Sequence, residues 1–377
     1  MENRLSAPQG ELQLQRLPFR ANETLRAWDA ADEYLLNYVS GHSILNPDSR
    51  VLIVNDGFGA LACGLSAYQP TAISDSCLSH QATRNNFQAN HLDQSRLTLL
   101  DSLSVPATQF DCLLIKVPKT LALLEYQLHQ LKPCLHSETI VIAAGMVKNL
   151  TANVWKLLEK LCGPTTSSLA VKKARLIFVR PDFAQALPNN PYPSHFEYPE
   201  YGWHIANHAN VFSRESLDIG TRFLLQHLPE TAGSDIIDLG CGNGIVGMAM
   251  AKRFPKAKIS FVDESYMALA SARLNYAQLG PELIPAEFIA ADCLSDFAKN
   301  SGDCIICNPP FHQQHSIGDH IAWQMFKQAY QVLRPGGELR VIGNRHLNYH
   351  LSLKKLFGNC HQVASNAKFV IFSCRKP

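Results

Sequence analysis

Two α/β domains in tandem, each an open sheet wound on both faces by helices, are predicted by three observations. From Asp235 onward, apolar runs of strand length alternate with stretches of helical length and period. A glycine-rich turn joins the first of those strands to the first of those helices. The same landmarks recur in the same order in the first half of the chain, so the two domains are read as a duplication.

In the second half the pattern opens with the strand Ile236-Ile237-Asp238-Leu239 and a helix over 245–254. A strand over 258–262 and a helix over 265–279 complete βαβα. An apolar run at 286–290, a strand over 303–307, a helix over about 319–333, a strand over 338–342 and an apolar end at 368–373 follow. Strands alternating with helices specify parallel pairing with crossovers on both faces. In the first half, Val51-Leu52-Ile53-Val54-Asn55-Asp56-Gly57-Phe58-Gly59 mirrors residues 236–242. Ile73-Ser74-Asp75-Ser76 mirrors Phe261-Val262-Asp263-Glu264, and residues 110–119 mirror 302–311. Two further pairs complete the match: Leu131-Lys132-Pro133 with 139–142 answers Leu333-Arg334-Pro335 with 339–342, and 174–178 answers 367–371. On this alignment Leu61 falls where Gly244 stands, and Asp75 falls opposite Asp263. Residues 187–201, rich in Pro, Asn and Tyr, show neither period, which places a linker at 187–208 between domains at 1–186 and 209–377. Its aromatic residues, Tyr192, Phe196, Tyr198, Tyr201 and Trp203, are expected to pack across the domain boundary.

At 377 residues, two domains are the natural division. With 18% charged and 46% apolar residues and no long uninterrupted apolar span, no membrane segment is expected. Residues 1–20 lack an apolar core of signal-peptide type, so a cytoplasmic protein is expected; it is further expected to be a monomer. The 11 cysteines show no paired spacing and read as reduced thiols. Cys304 and Cys307 lie three apart in a strand and so point to opposite faces, which disfavours a redox or metal pair. His312 and His315 lack nearby Cys or acidic partners, and no metal is expected. A net charge of +2 confines any nucleic-acid affinity to local patches.

The turn Asp238-Leu239-Gly240-Cys241-Gly242-Asn243-Gly244 has the spacing GxGxG, and an acid precedes it. Both features disfavour a pyrophosphate and suit a cationic ligand. Asp263, about twenty residues on, is placed to hold ribose hydroxyls, and Asp292, after the third strand, to accept from an adenine amine. Together the three acids fit S-adenosylmethionine. Asn308-Pro309-Pro310-Phe311 ends a strand as an acceptor-rich corner, because proline has no N–H to extend a ladder. A planar amine can donate to the Asn308 side-chain oxygen and the Pro309 carbonyl while Phe311 stacks on its ring.

These residues resemble the class I S-adenosylmethionine-dependent methyltransferases, which implies a Rossmann-like fold in both halves. The corner resembles that of amine-nitrogen methyltransferases. Val211-Phe212-Ser213-Arg214 with Leu217-Asp218-Ile219-Gly220, residues 308–315, and Asn344-Arg345-His346-Leu347 narrow the resemblance to the bacterial ribosomal RNA guanine-N2 methyltransferases of the RsmC/RlmG type. Residues 308–315 with 353–359 look closer to the large-subunit branch. The resemblance implies that the second half is catalytic and that the degenerate first half docks RNA, where Lys116, Lys119, Lys172, Lys173 and Arg175 offer phosphate contacts. Arg345, with His346, is expected to line the RNA entry. Small-subunit guanine, DNA adenine N6 and protein glutamine stay open as acceptors, and so does a noncatalytic RNA-binding assembly factor.

Overall fold

A computed structural model describes residues 3–20, 23–310 and 315–377, without the side chains of 315–319. The chain forms two compact units, Met1–Pro191 and Tyr192–Pro377.

The first unit begins with the antiparallel hairpin β1 (Arg4–Ala7) and β2 (Gly10–Gln13). Then come α1 (Ala30–Gly41), β3 (Val51–Val54), α2 (Ala60–Gly64), β4 (Thr71–Ser74), α3 (Cys77–Ala89), β5 (Thr98–Asp101) and β6 (Cys112–Lys116). Helix α4 (Leu121–Leu131), β7 (Ile140–Met146), α5 (Ala152–Leu161), β8 (Thr165–Ser167) and β9 (Ala174–Val179) complete it. The seven-stranded sheet has the order β5-β4-β3-β6-β7-β9-β8. Val51–Val54 is buried at every position, as a central parallel strand covered on both faces must be.

The second unit begins with the hairpin β10 (Ser194–Tyr198) and β11 (Trp203–Asn207). It continues through α6 (Ile219–Leu225), β12 (Asp235–Leu239), α7 (Ile245–Arg253), β13 (Lys258–Asp263), α8 (Tyr266–Ala277), β14 (Glu287–Ala290) and β15 (Gly302–Cys307). Helix α9 (His315–Val332), β16 (Leu333–Asn344), α10 (Tyr349–Phe357), β17 (His361–Ser365) and β18 (Phe369–Arg375) close the chain. The sheet order, β14-β13-β12-β15-β16-β18-β17, repeats that of the first unit strand for strand. In each unit the order reverses beside the first central strand, and there the carboxyl ends of two neighbouring strands open a crevice. Cys304 and Cys307 belong to core clusters on opposite faces of this sheet.

Strand register aligns the units residue by residue and corrects two of the matches expected from sequence. Val54 pairs with Ile73 and Ile115, as Leu239 pairs with Val262 and Cys307. The residues one step further on are therefore equivalent: Asn55 to Gly240, Ser74 to Asp263, and Lys116 to Asn308. Helix caps agree, since Gly59 (φ 83°) begins α2 as Gly244 (φ 79°) begins α7, and Ser76 caps α3 as Ser265 caps α8. Gly59, not Leu61, thus stands at the place of Gly244, and Asp75 matches Glu264, not Asp263. Matching letters in a turn slipped by one or two positions because glycines and acids recur at short spacing there.

Residues 187–208 are likewise not linker throughout. Tyr198 and Trp203 are buried in the core of the second unit, with Phe196 and Tyr201 packed against it, so these aromatics serve one unit's interior. The Tyr201 ring lies 4.4 Å from Trp203, with Lys252 over both. The hairpin is the counterpart of β1–β2. Asn275 of α8 accepts from Ala206 N at 2.7 Å and donates to Ala206 O and Asn243 O, each at 2.9 Å. Asn86 of α3 makes the same set with Gln15 N, Gln15 O and Phe58 O. Each repeat thus starts with a hairpin that an asparagine ties to its turn.

Candidate active site

The glycine turn after β12 stands at the crevice. Gly240, Gly242 and Gly244 have φ of 70°, 53° and 79°, a region that only glycine enters without strain. At Gly244 the reason is also packing, because a Cβ there would sit 2.7 Å from the Ala272 Cβ. At Gly242 a Cβ would meet nothing within 4 Å, so the turn offers its backbone to open space. Asn243 is held from inside: its Nδ2 donates to Asn207 Oδ1 at 3.0 Å, and its Oδ1 accepts from Ile245 N at 3.3 Å. Its side chain braces the turn from the hairpin, a link between residues 36 positions apart that sequence reading did not find.

Three acids surround this turn. Asp238 is buried, and its Oδ2 accepts from Gly247 N at 2.8 Å. Burial pushes its carboxyl up to about 8, with the Asp263 charge adding to the rise against the pull of the Gly247 N–H. Asp263 Oδ2 accepts from Gly242 N at 3.0 Å, and Oδ1 accepts from Ser265 N at 3.0 Å. The N–H that a phosphate would need is thus already given to a carboxylate, and the turn is negative. Asp292 is half-buried, with Oδ1 accepting from Gln324 Nε2 at 2.8 Å. A ligand with a positive charge beside a ribose and a base fits this set of acceptors, as S-adenosylmethionine does; an anionic dinucleotide does not.

One strand over, Asn308 follows the last residue of β15, beside buried Pro309 and exposed Pro310. Its Nδ2 donates to Thr221 Oγ1 at 3.0 Å, while its Oδ1 is buried with no hydrogen-bond partner among the described residues. Thr221 in turn donates to Asp218 Oδ2, from N at 2.9 Å and from Oγ1 at 3.3 Å. A hydroxyl has one proton, and Asp218 takes it. Thr221 Oγ1 can then only accept from Asn308, which fixes the amide with its oxygen turned away from Thr221 as a free acceptor. An unmade buried acceptor costs about 1–3 kcal/mol, so this one is poised for a donor. Phe311, expected to stack on the acceptor, and His312 lie outside the described residues. Among the described residues no group of three or more His, Cys, Asp or Glu is arranged to hold a metal, and no helix is long and apolar enough to cross a membrane.

In the first unit Gly57 and Gly59 keep the places of Gly242 and Gly244, but the acids and the first glycine are lost. Ile53, Asn55 and Ser74 replace Asp238, Gly240 and Asp263 by register. The Asn55 side chain crosses to Lys116 O and Gln127, which closes the crevice. Asp56 takes the N–H groups of Gly59, Ala60 and Ala62 at 2.9–3.0 Å, occupying the turn with the protein's own anion. Lys116, at the place of Asn308 and expected as a phosphate contact, is instead paired within its own unit. Its Nζ lies 2.8 Å from Asp29 and 2.7 Å from Asp32, which together neutralise it. Lys172 is also paired, with Glu33 at 2.7 Å, though it stays exposed. Lys119 and Lys173 are exposed, and Arg175 is half-buried with its Nε buried and unpaired. Arg345 of the second unit is exposed, with Nη1 3.3 Å from Asn366 O.

Residues 2–183 match the RLMG N-terminal domain family, and residues 202–373 match the methyltransferase small domain family. Curated relatives named ribosomal RNA large subunit methyltransferase G align along the whole chain. That of Aeromonas salmonicida is 48% identical over 100% of both chains. That of Pseudoalteromonas translucida is 49% identical over 96% of this chain and 95% of its own. Among solved structures, a T. thermophilus 16S rRNA N2 methyltransferase (RsmC), in complex with AdoMet and guanosine, shares the fold. Its TM-score is 0.78 at 19% identity, over 99% of this chain and 97% of the other.

Proposed function

The chain belongs to the ribosomal RNA large subunit methyltransferase G family, and from that premise we propose that it transfers a methyl group to the N2 amine of a guanine in large-subunit ribosomal RNA. S-adenosylmethionine, held at the turn of Asp238, Gly240, Gly242 and Gly244 with Asp263 and Asp292, supplies an electrophilic methyl on a cationic sulfur. The observation that carries the reading is the buried oxygen of Asn308, without a donor among the described residues, at the end of the strand beside that of the glycine turn.

The chemistry asked of this corner is orientation. A guanine 2-amine conjugates its lone pair with the ring, so the nitrogen is a weak nucleophile until its two N–H bonds are held. One N–H donating to Asn308 Oδ1 and the other to the Pro309 carbonyl aim the lone pair outward along the line of attack. As the N–C bond formed and the methyl's bond to sulfur broke, leaving a neutral thioether, the nitrogen would gain positive charge, and the same two oxygens would stabilise it before a proton left to solvent. No strong base is required. The exposed Lys119 and Lys173, with Arg345, support contacts to RNA phosphates, which position the strand without reading it.

Incubation with labelled S-adenosylmethionine and large-subunit RNA from cells lacking the protein tests the reading. N2-methylguanosine at one mapped position is expected. Label in small-subunit RNA, DNA adenine or protein glutamine would overturn the substrate assignment, and absence of cofactor binding by calorimetry would leave a noncatalytic RNA-binding factor.

A further inference from the structure

Asn344, the last residue of β16, is 8% exposed, and its side-chain oxygen, like that of Asn308, is buried without a hydrogen-bond partner among the described residues. The two are neighbours by topology. Strand β16 pairs with β15, Cys307 standing opposite Val341, so Asn308 lies one residue beyond that pair on its strand and Asn344 three beyond on the other. Side chains two apart on a strand share a face, which puts Asn344 with Ile342. Ile342 packs in the cluster that holds Leu224 and Leu225 of α6, the helix whose Thr221 binds Asn308. The register partner of Asn344, Phe369, is met by the same helix at Gly220, where a Cβ would stand 3.2 Å from the ring. Both carboxamides therefore sit at the carboxyl edge of adjacent strands on the α6 face.

The first unit supplies the control. Register places Met146 at the position of Asn344, just as it places Lys116 at that of Asn308. Where the cofactor turn is filled, both carboxamides are gone. A buried acceptor kept for folding would be retained in both repeats or be partnered in the one that has it.

We propose that Asn344 is a specificity residue for the acceptor base, its Oδ1 accepting the N1–H of guanine while Asn308 Oδ1 accepts from the 2-amine. The proposal rests on guanine N2 as acceptor. Guanine is the RNA base whose pairing edge sets an N1–H beside an amine, two neighbouring donors for two oxygens on one face of neighbouring strands. Adenine would turn an unprotonated N1, an acceptor, toward the Asn344 oxygen and leave it unpaired.

A short RNA carrying the mapped nucleotide as guanine or as 2-aminopurine separates the two contacts, because 2-aminopurine keeps the 2-amine and lacks the N1–H. The wild-type protein is expected to prefer guanine by about tenfold or more in kcat/KM. Asn344→Met is expected to lower guanine methylation about tenfold to a hundredfold while leaving the 2-aminopurine rate within about twofold, so that the preference collapses. If that variant no longer binds S-adenosylmethionine in calorimetry, Asn344→Ser carries the same comparison. Equal loss on both substrates, no loss on either, or a wild type indifferent to N1–H would overturn the proposal. A wild type that methylates no guanine N2 at all would overturn the underlying reading instead.

Discussion

At the end of one strand the two repeats place three residues each, and the contrast between the sets shows what the second unit preserves. In the second unit Asp218 caps α6, Thr221 donates to it, and Asn308 donates to Thr221. In the first, Asp29 caps α1, Asp32 donates to it from its backbone and Lys116 binds both carboxylates. The geometry is shared: a helix N-cap, the residue three further on, and the residue at the carboxyl end of the fourth sheet strand. In the first unit Lys116 Nζ is spent on the two carboxylates, and both Asp32 oxygens and Asp29 Oδ1 have partners within the unit. In the second the set ends on the Asn308 oxygen, an acceptor to which no described residue donates. A duplicated fold can close such a corner with a salt bridge, so leaving it open is a feature of the second repeat and not of the architecture.

Asn308→Ala puts the contrast to its hardest test. It removes an acceptor that matters only to the reacting amine, so methyl transfer is expected to fall by about a thousandfold or more, while S-adenosylmethionine affinity stays within about twofold. Single-turnover kinetics beside calorimetry reads both. Turnover near the wild-type rate would mean that the corner is as inert in the second unit as in the first.

The corresponding change in the first unit, Lys116→Met, is expected to act on stability instead. It strands Asp32, whose side chain is 7% exposed, beside Asp29 without a counter-charge, a loss of about 3–5 kcal/mol in a buried network. Thermal unfolding followed with and without Asp32→Asn checks it, since the double change removes the unpaired charge and recovers part of the loss. A midpoint unmoved by Lys116→Met would show that the network is solvated and the corner not closed.

Thr221→Val sharpens the comparison within the second unit. Without the hydroxyl the Asn308 amide can rotate and present its NH2 to the acceptor, so kcat is expected to fall about tenfold to a hundredfold with little change in cofactor affinity. Thr221→Ser should restore it. Equal kcat in the Val and Ser variants would separate Thr221 from the orientation of Asn308.

Much of this was legible in the sequence, and the parts that were not share a cause. The central strands are buried on both faces, so Val51–Val54 and Cys304–Cys307 read as apolar runs, and the glycines of the turn declare themselves because positive φ demands them. The duplication follows from the order of such landmarks. Their exact register does not, since Ser74 and Asp75 are equally plausible partners for Asp263 until strand pairing decides. The hairpin Ser194–Asn207 was hidden because it is half-exposed and framed by Pro, Asn and Tyr, which read as loop. Thr221 and Asn308 are 87 residues apart, and no local pattern reports a contact over that distance. The basic residues of the first unit were visible as charges, but whether a lysine is free or neutralised, as Lys116 is by Asp29 and Asp32, depends on what folds beside it.

The smallest expected effect concerns the acid under the glycine turn, Asp238, whose register counterpart in the first unit is the apolar Ile53. Burial raises the Asp238 carboxyl to about 8, against about 4 for an exposed aspartate. Between those values the folded protein holds a proton that the unfolded chain gives up, so this group's contribution to stability falls as pH rises through that window. A cationic ligand at the turn favours the ionised form and expels the proton. S-adenosylmethionine affinity is then expected to strengthen from pH 6 toward pH 8, by at most about tenfold per unit, and to level off above it. The ligand's own amine titrates in the same range, so the measurement is the difference between wild type and Asp238→Asn. Calorimetry near pH 7 in two buffers of unlike ionisation enthalpy should show release of up to about one more proton for the wild type than for the variant. Parallel pH profiles would mean that Asp238 only braces α7 through Gly247, the structural role that the glycine turn of the first unit sustains with Asp56 in its place.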